Sequence, residues 1–161
     1  DRESRLRGEQ VASGDFDASS WRPLQMPGTF EAQLTDLANY DGVVWLRKEF
    51  NLTRVPTKEP LTLGIGGVDD EDWTYLNGRF VGHIGQDTHP TNYWEAMRRY
   101  PLTRDMLKVG RNVIAVKVKD LRQSGGITKG PISIVERERW LEAYYLDAPE
   151  ALDDPYRYNR W

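Results

Sequence analysis

A chain of 161 residues is one domain by length and can bury a hydrophobic core without covalent staples. Lys+Arg 22 against Asp+Glu 25 leaves a net charge of −3, which argues against a nucleic-acid footprint, and zero cysteines exclude disulfides and thiolate metal sites. No apolar run approaches membrane-spanning length, and residues 1–10, DRESRLRGEQ, lack the shape of a signal peptide, so the signal of an exported chain would have been removed or would belong to a longer precursor.

Residues 1–20 are charged and rich in Gly and Ser, and read as an N-terminal extension or linker with at most a short strand near Val11. Trp21-Arg22-Pro23-Leu24 and Met26-Pro27-Gly28 read as an extended segment ending in a turn. A weakly helical patch (Glu31, Ala32, Leu34, Leu37) follows, closed by a turn at Asp41-Gly42. Residues 43–52, VVWLRKEFNL, predict a strand with Val44, Leu46, Phe50 and Leu52 on the core face, interrupted by Lys48. Leu61, Leu63 and Ile65 alternate into the next strand.

Asn77-Gly78 is a two-residue hairpin signal, because a type I′ turn needs positive φ at both central positions. With these residues as the loop, Tyr75 faces Phe80 and Trp73 faces Gly82; Trp73, Tyr75 and Phe80 share one face, and Thr74, Leu76 and Val81 the other. Residues 86–100 form a polar, aromatic connection with one helical turn at most, and 104–107 a second short turn. In the strand at 113–119, Ile114, Val116 and Val118 point inward, with Ala115, Lys117 and Lys119 outward. A Gly-rich loop at 124–130 precedes a strand at 131–135. Residues 138–146 suit a helix or a further strand, and 147–161 a C-terminal arm or linker. Short strands punctuated by Gly, Pro and Asn-Gly, with little helix, make an all-β sandwich over 21–146.

The motif order narrows this. W-x-x-L-x-x-P-G (21–28), D-G-V-V-W-L-R-K-x-F (41–50), L-x-L-G-I-G-G-V-D-D-E-D-x-x-Y-L-N-G-x-x-V-G (61–82), Y-W-x-x-x-R-x-Y (93–100), L-K-V-G-R-N-V-I-A-V-K-V-K-D (107–120) and G-G-I (125–127) follow in sequence. Together, over roughly residues 20–135, they resemble the galactose-binding-like jelly-roll domain of glycoside hydrolase family 2, in the variant embedded in bacterial sialate O-acetylesterase-type SGNH esterases. The resemblance implies a jelly-roll β-sandwich and a non-catalytic, carbohydrate-binding or accessory role in a multidomain, extracellular or periplasmic enzyme. It also implies an adjacent catalytic domain, an esterase or a glycosidase. That family's Gly-Asp-Ser and Asp-x-x-His blocks do not occur here: the chain has Ser13-Gly14-Asp15 and Asp87-Thr88-His89 instead.

The residues give no pattern for independent nucleophilic catalysis, although a carboxylate pair for glycoside hydrolysis is always conceivable among 25 acids. Nucleophilic chemistry needs a base beside Ser or Thr; the histidines are His83 and His89, and there is no G-x-S-x-G elbow. Sugar recognition needs an aromatic face and a few fixed hydrogen-bonding groups, for an oligosaccharide or polysaccharide partner. The candidates are Asp70 and Asp72 from the acidic loop, Tyr93, Trp94 and Arg98 from the long connection, and Asp120 and Arg122 after the 113–119 strand. Each has a structural alternative: Trp94 and Tyr100 as caps on the core, Asp120 paired with Arg98 or Arg99, Asp72 bonded to its own loop. No cofactor is called for, although jelly-roll sugar-binding modules often hold a calcium, for which Asp69, Asp70 and Asp72 offer hard oxygens without EF-hand spacing. The alternative function is a structural or interaction domain that shapes a neighbouring SGNH esterase site without binding sugar alone. The acidic loop and residues 93–98 are expected to meet at one end of the sandwich.

Overall fold

The computed structural model describes residues 2–136 and the short strand Tyr144–Tyr145. Among these residues the chain forms ten strands and two α-helices, with 3-10 turns at Thr35–Leu37 and Arg104–Met106: α1 (Arg2–Val11), β1 (Gly28–Thr29), α2 (Phe30–Gln33), β2 (Gly42–Leu52), β3 (Leu61–Asp69), β4 (Glu71–Leu76), β5 (Arg79–Ile84), β6 (Met97–Leu102), β7 (Gly110–Asp120), β8 (Gly126–Lys129), β9 (Ser133–Glu136) and β10 (Tyr144–Tyr145). One sheet runs β2-β7-β4-β5. In the other, β3 pairs with β6 on one side and with β8 and β9 in succession on the other, while β1 and β10 extend the edges. Every pairing is antiparallel, and the whole is an all-β sandwich.

The alternation in the sequence dictates the core. Leu46, Phe50 and Leu52 of β2, Leu61, Leu63 and Ile65 of β3, and Ile114, Val116 and Val118 of β7 meet between the sheets. Each such side chain contributes about 1.5–3 kcal/mol by leaving water. Leu76↔Arg79 closes the predicted two-residue loop, with Asn77 at φ 48° and Gly78 at φ 79°, the left-handed pair a type I′ turn requires. Tyr75 faces Phe80 as predicted, but a bulge after Thr74 moves Gly82 opposite Thr74 and His83 opposite Trp73. The extra residue is absorbed on β5, and the faces are as expected: Thr74 and Leu76 are buried in the core, and Val81 packs against it.

The largest departure from the sequence reading lies at the N-terminus. The stretch around Val11 is the end of helix α1, not a strand. The helix covers the outer face of the β2-β7-β4-β5 sheet, where Val11, Ala12, Tyr75 and Ala115 form a second apolar cluster flanked by Phe16, Trp21, Trp45 and Trp73. Ala115 is therefore outward from the main core yet fully buried. The last turn of α1 carries no basic residue, and its end is met from the sheet: Arg47 Nε donates to Val11 O at 3.0 Å and Nη2 to Ser13 O at 3.1 Å.

Three strands fall where the sequence predicts turn or loop, β1 at the Met26-Pro27-Gly28 turn and two more. β6 follows the connection at 86–96 and contains Pro101, a residue that argues against a strand interior; β8 falls within the Gly-rich segment. Residues 137–143 and 146–161 lie outside the described residues, and with them the C-terminal arm and most of the 138–146 element.

Candidate functional site

The acidic strand junction and the long connection meet, and a buried arginine joins them. Arg98 of β6 is fully buried. Its Nε donates to Asp72 Oδ1 at 2.8 Å and its Nη2 to Asp70 O at 2.7 Å. Its Nη1 donates to Tyr93 O at 2.7 Å and Ala96 O at 2.6 Å, which fixes the turn before β6 against the start of β4. Asp72, also fully buried, receives further bonds from Tyr100 Oη at 2.8 Å to both oxygens and from Thr74 Oγ1 at 2.7 Å. Burial, then the Asp72 charge, pushes the Tyr100 phenol up. The Tyr100 ring lies across Gly82, where an added Cβ would sit 2.1 Å from Cδ1, so only glycine lets this ring reach Asp72.

Asp72 and Arg98 thus complete one another inside the protein and shape the site from behind. Asp72 bonds side chains, not the backbone of its own loop, and Tyr100 is its donor as well as a core cap. With both Asp72 oxygens engaged, Asp69, Asp70 and Asp72 do not fit as a calcium-ligand set. Among the described residues no group of three or more His, Asp or Glu side chains is placed to hold a metal ion.

The remaining candidates surround this clasp. Asp70 is 8% exposed, and its Oδ2 accepts from Leu121 N at 2.7 Å, tying the β3–β4 junction to the end of β7. Asp120 Oδ1 accepts from Arg122 N at 2.9 Å, the contact it makes in place of one to Arg98 or Arg99. Its Oδ2 is buried without a donor. Trp94 stands 41% exposed, edge-on to the half-buried Tyr93 with ring centroids 5.2 Å apart. The Arg98 bonds to Tyr93 O and Asp70 O put the aromatic pair and the acidic junction on one rim.

Three acids of this rim, Glu31, Asp41 and Asp69, are not among the sugar-binding candidates. Asp69 is half-buried and its carboxyl is pushed up to about 7, first by burial, then by a hydrogen bond with Asp70 and repulsion from Asp70 and Asp120. Asp120 is pushed up to about 6, first by burial, with Glu31, Asp41 and Asp70 repelling and the Arg122 amide opposing. Glu31 comes from α2: its Oε1 accepts from Gly125 N at 2.9 Å, and Phe30 N donates to Gly125 O at 3.0 Å. No local pattern marks Glu31 or Asp41: Glu31 is held by Gly125 N in the loop after β7, and Asp41 precedes Gly42, which pairs with Asp120 across the β2–β7 ladder.

An open groove of ≈ 430 Å³ is lined by Glu71, Trp73, Gln86, Asp87 and Lys119. Its tryptophan is engaged from both neighbouring strands, stacked on His83 at 4.3 Å and approached by Lys117 Nζ at 4.6 Å. His83 Nδ1 faces Asp72 O at 2.6 Å and Nε2 faces Asp87 Oδ1 at 2.8 Å, so both ring nitrogens meet acceptors. His89 Nδ1 lies 3.4 Å from Thr88 Oγ1, a hydroxyl already bonded to the Gly85 backbone. Neither histidine is arranged as a base for a nucleophile.

No family model matches the chain, and no curated protein matches it. Solved structures do. A β-glucuronidase of Bacteroides uniformis shares 22% identity at a TM-score of 0.57 over 73% of this chain. A glycosyl hydrolase family 2 member from Bacteroides cellulosilyticus DSM 14838 gives 19% and 0.59 over 73%, and a Bifidobacterium dentium β-glucuronidase complexed with coumarin-3-O-glucuronide gives 19% and 0.56 over 69%. The fold is shared. The chain spans only 15%, 17% and 17% of those three chains, respectively, so it resembles one part of such glycosidases.

Proposed function

We propose that this chain is a non-catalytic, carbohydrate-binding accessory domain of a multidomain, extracellular or periplasmic carbohydrate-active enzyme. The observation that carries the reading is the rim at one end of the sandwich, where exposed Trp94 stands against Tyr93 and the turn bearing both is tied through Arg98 to Asp70 and Asp72. A sugar ring stacks its C–H face on an aromatic surface, and the half-buried Asp69 carboxyl at the same junction accepts from its hydroxyls. The likeness to a small share of glycoside hydrolase family 2 enzymes supports an accessory role beside a catalytic domain. Linked in this way, the domain holds glycan near the neighbouring active site and raises its effective concentration. Titration of the chain with a panel of oligosaccharides tests this. Binding supports it, and silence across plant, algal and host glycans overturns it.

The second reading is architectural: the domain shapes the site of an adjacent SGNH O-acetylesterase or glycosidase and binds no sugar alone. It is favoured by the burial of Asp72, Arg98 and Asp120, which serve the fold first. A Gly-Asp-Ser block in the sequence flanking this chain would assign the esterase as the neighbour, and its absence there would remove that assignment.

A further inference from the structure

The residue pair that turns β4 into β5 is also a chemically reactive pair. Asn77-Gly78 is the sole Asn-Gly step in the sequence; the asparagines at 39, 51, 92, 112 and 159 precede Tyr, Leu, Tyr, Val and Arg. An asparagine amide is open to attack by the backbone nitrogen of the next residue, and glycine shields that nitrogen least because it has no Cβ. The bond from Gly78 N to Asn77 Cγ forms as the Cγ–Nδ2 bond breaks, and ammonia leaves with the Gly78 proton. Water then opens the cyclic imide at either carbonyl, giving aspartate or isoaspartate. The sequence of steps consumes water alone.

In the fold the amide is held out of this reaction. Asn77 Nδ2, the leaving nitrogen, donates to Met106 O at 2.9 Å and to Asn112 Oδ1 at 2.8 Å, and Asn77 Oδ1 accepts from Val113 N at 2.8 Å. Attack turns the planar Cγ tetrahedral and draws both amide atoms off these partners. The product fits no better. A carboxylate at position 77 keeps the bond from Val113 N, but its second oxygen faces two acceptors, Met106 O and Asn112 Oδ1. Asn112 cannot turn over to offer a donor. It is fully buried, its Nδ2 donates to Lys108 O at 2.7 Å and Gly110 O at 2.9 Å, and its Oδ1 also accepts from Lys108 N at 3.0 Å. An isoaspartate further adds a backbone carbon to the two-residue loop closed by Leu76↔Arg79.

We infer that Asn77 is a deamidation site gated by the hairpin: protected while β4 and β5 are paired, converted when they part, and unable to rebuild the loop once converted. Opening at this turn thus leaves a permanent chemical mark, which sets a lifetime for the folded domain. The inference is independent of the glycan-binding reading.

The test incubates the full chain in mildly alkaline buffer, folded and unfolded in urea, and follows the Asn77 peptide by mass spectrometry, with isoaspartate read by enzymatic methylation. Conversion at least about tenfold slower in the folded chain is expected, because reaction there waits for local opening. Asn112→Ala removes one acceptor of the leaving nitrogen, and is expected to speed conversion of the folded chain without changing the rate in urea. The converted chain and the variant Asn77→Asp are both expected to melt below the wild type. Equal rates in the folded and unfolded wild type overturn the inference. So does a folded Asn112→Ala that converts as slowly as the wild type, or a converted chain or Asn77→Asp that melts with the wild type. Where Asn112→Ala does not fold, the wild-type rates and the melts decide by themselves.

Discussion

Arg98 Nε and Asp72 Oδ1 lie 2.8 Å apart, with neither side chain reached by solvent. The pair is the reason the acidic strand and the aromatic turn are neighbours, since the same guanidinium also gathers the carbonyls of Asp70, Tyr93 and Ala96. Removing one partner of a buried pair strands the other charge. Asp72→Ala is therefore expected to destabilise the protein by about 3–5 kcal/mol. Adding Arg98→Met to that variant is expected to restore part of the loss. Urea unfolding of the two variants checks this; a double variant less stable than Asp72→Ala would show that the carbonyl contacts dominate.

The hairpin yields a second expectation. Asn77 supplies positive φ and also three side-chain bonds: Nδ2 to Met106 O at 2.9 Å and to Asn112 Oδ1 at 2.8 Å, and Oδ1 from Val113 N at 2.8 Å. Asn77→Gly keeps the turn and loses those bonds, so a cost of about 1–3 kcal/mol is expected. Asn77→Val should cost more, because a β-branched residue resists that φ as well. Equal midpoints for the two variants in thermal melts would mean that the turn conformation contributes little.

Much of this was legible in the chain and some was not. Period-two alternation located β2, β3 and β7, because each has one face in the main core, while the Asn-Gly signal located β4 and β5. Asn77-Gly78 fixed the loop but not the bulge at Thr74, since a register shift leaves no mark when both neighbours remain β-formers. Helix α1 was missed because its buried residues are only Gly8 and Val11, too sparse for helical periodicity, and its docking is completed by Arg47 from β2. At the site, the convergence of the acidic junction with residues 93–98 was readable from motif order. Whether Asp72 and Arg98 face a ligand or one another was not, because both acts require the same residue types.

Arg47 makes that docking testable. Its side chain is 6% exposed and holds Val11 O and Ser13 O while pairing with Glu49 at 2.7 Å. Arg47→Met keeps the apolar stem and removes the donors. Faster amide exchange across α1, with β3 and β7 unchanged, is the expected outcome in hydrogen-exchange measurements. Exchange that rises uniformly would mean that the helix and sandwich open as one unit.

The raised carboxyls set the pH dependence. Ordinary Asp titrates near about 4, whereas Asp69 and Asp120 in the fold titrate near about 7 and about 6. Between those values the native state holds more protons than the unfolded chain, so their contribution to stability falls as pH rises from about 4 to about 7 and is flat above. Asp69→Asn and Asp120→Asn are each expected to flatten this decline and to raise the thermal midpoint at neutral pH. Unfolding at a series of pH values measures it, and wild-type and variant curves that run parallel would contradict the repulsion.

The central claim is that Trp94 and Tyr93 form a glycan-binding edge whose shape is set by Arg98. The most direct measurement is oligosaccharide titration of the wild type and Trp94→Ala side by side, with thermal midpoints recorded for both. Trp94 is exposed and outside both apolar clusters, so the variant is expected to melt with the wild type and to bind about tenfold more weakly, a loss of about 1.4 kcal/mol. Undiminished binding by a folded Trp94→Ala would contradict the account and move the site elsewhere on the sandwich.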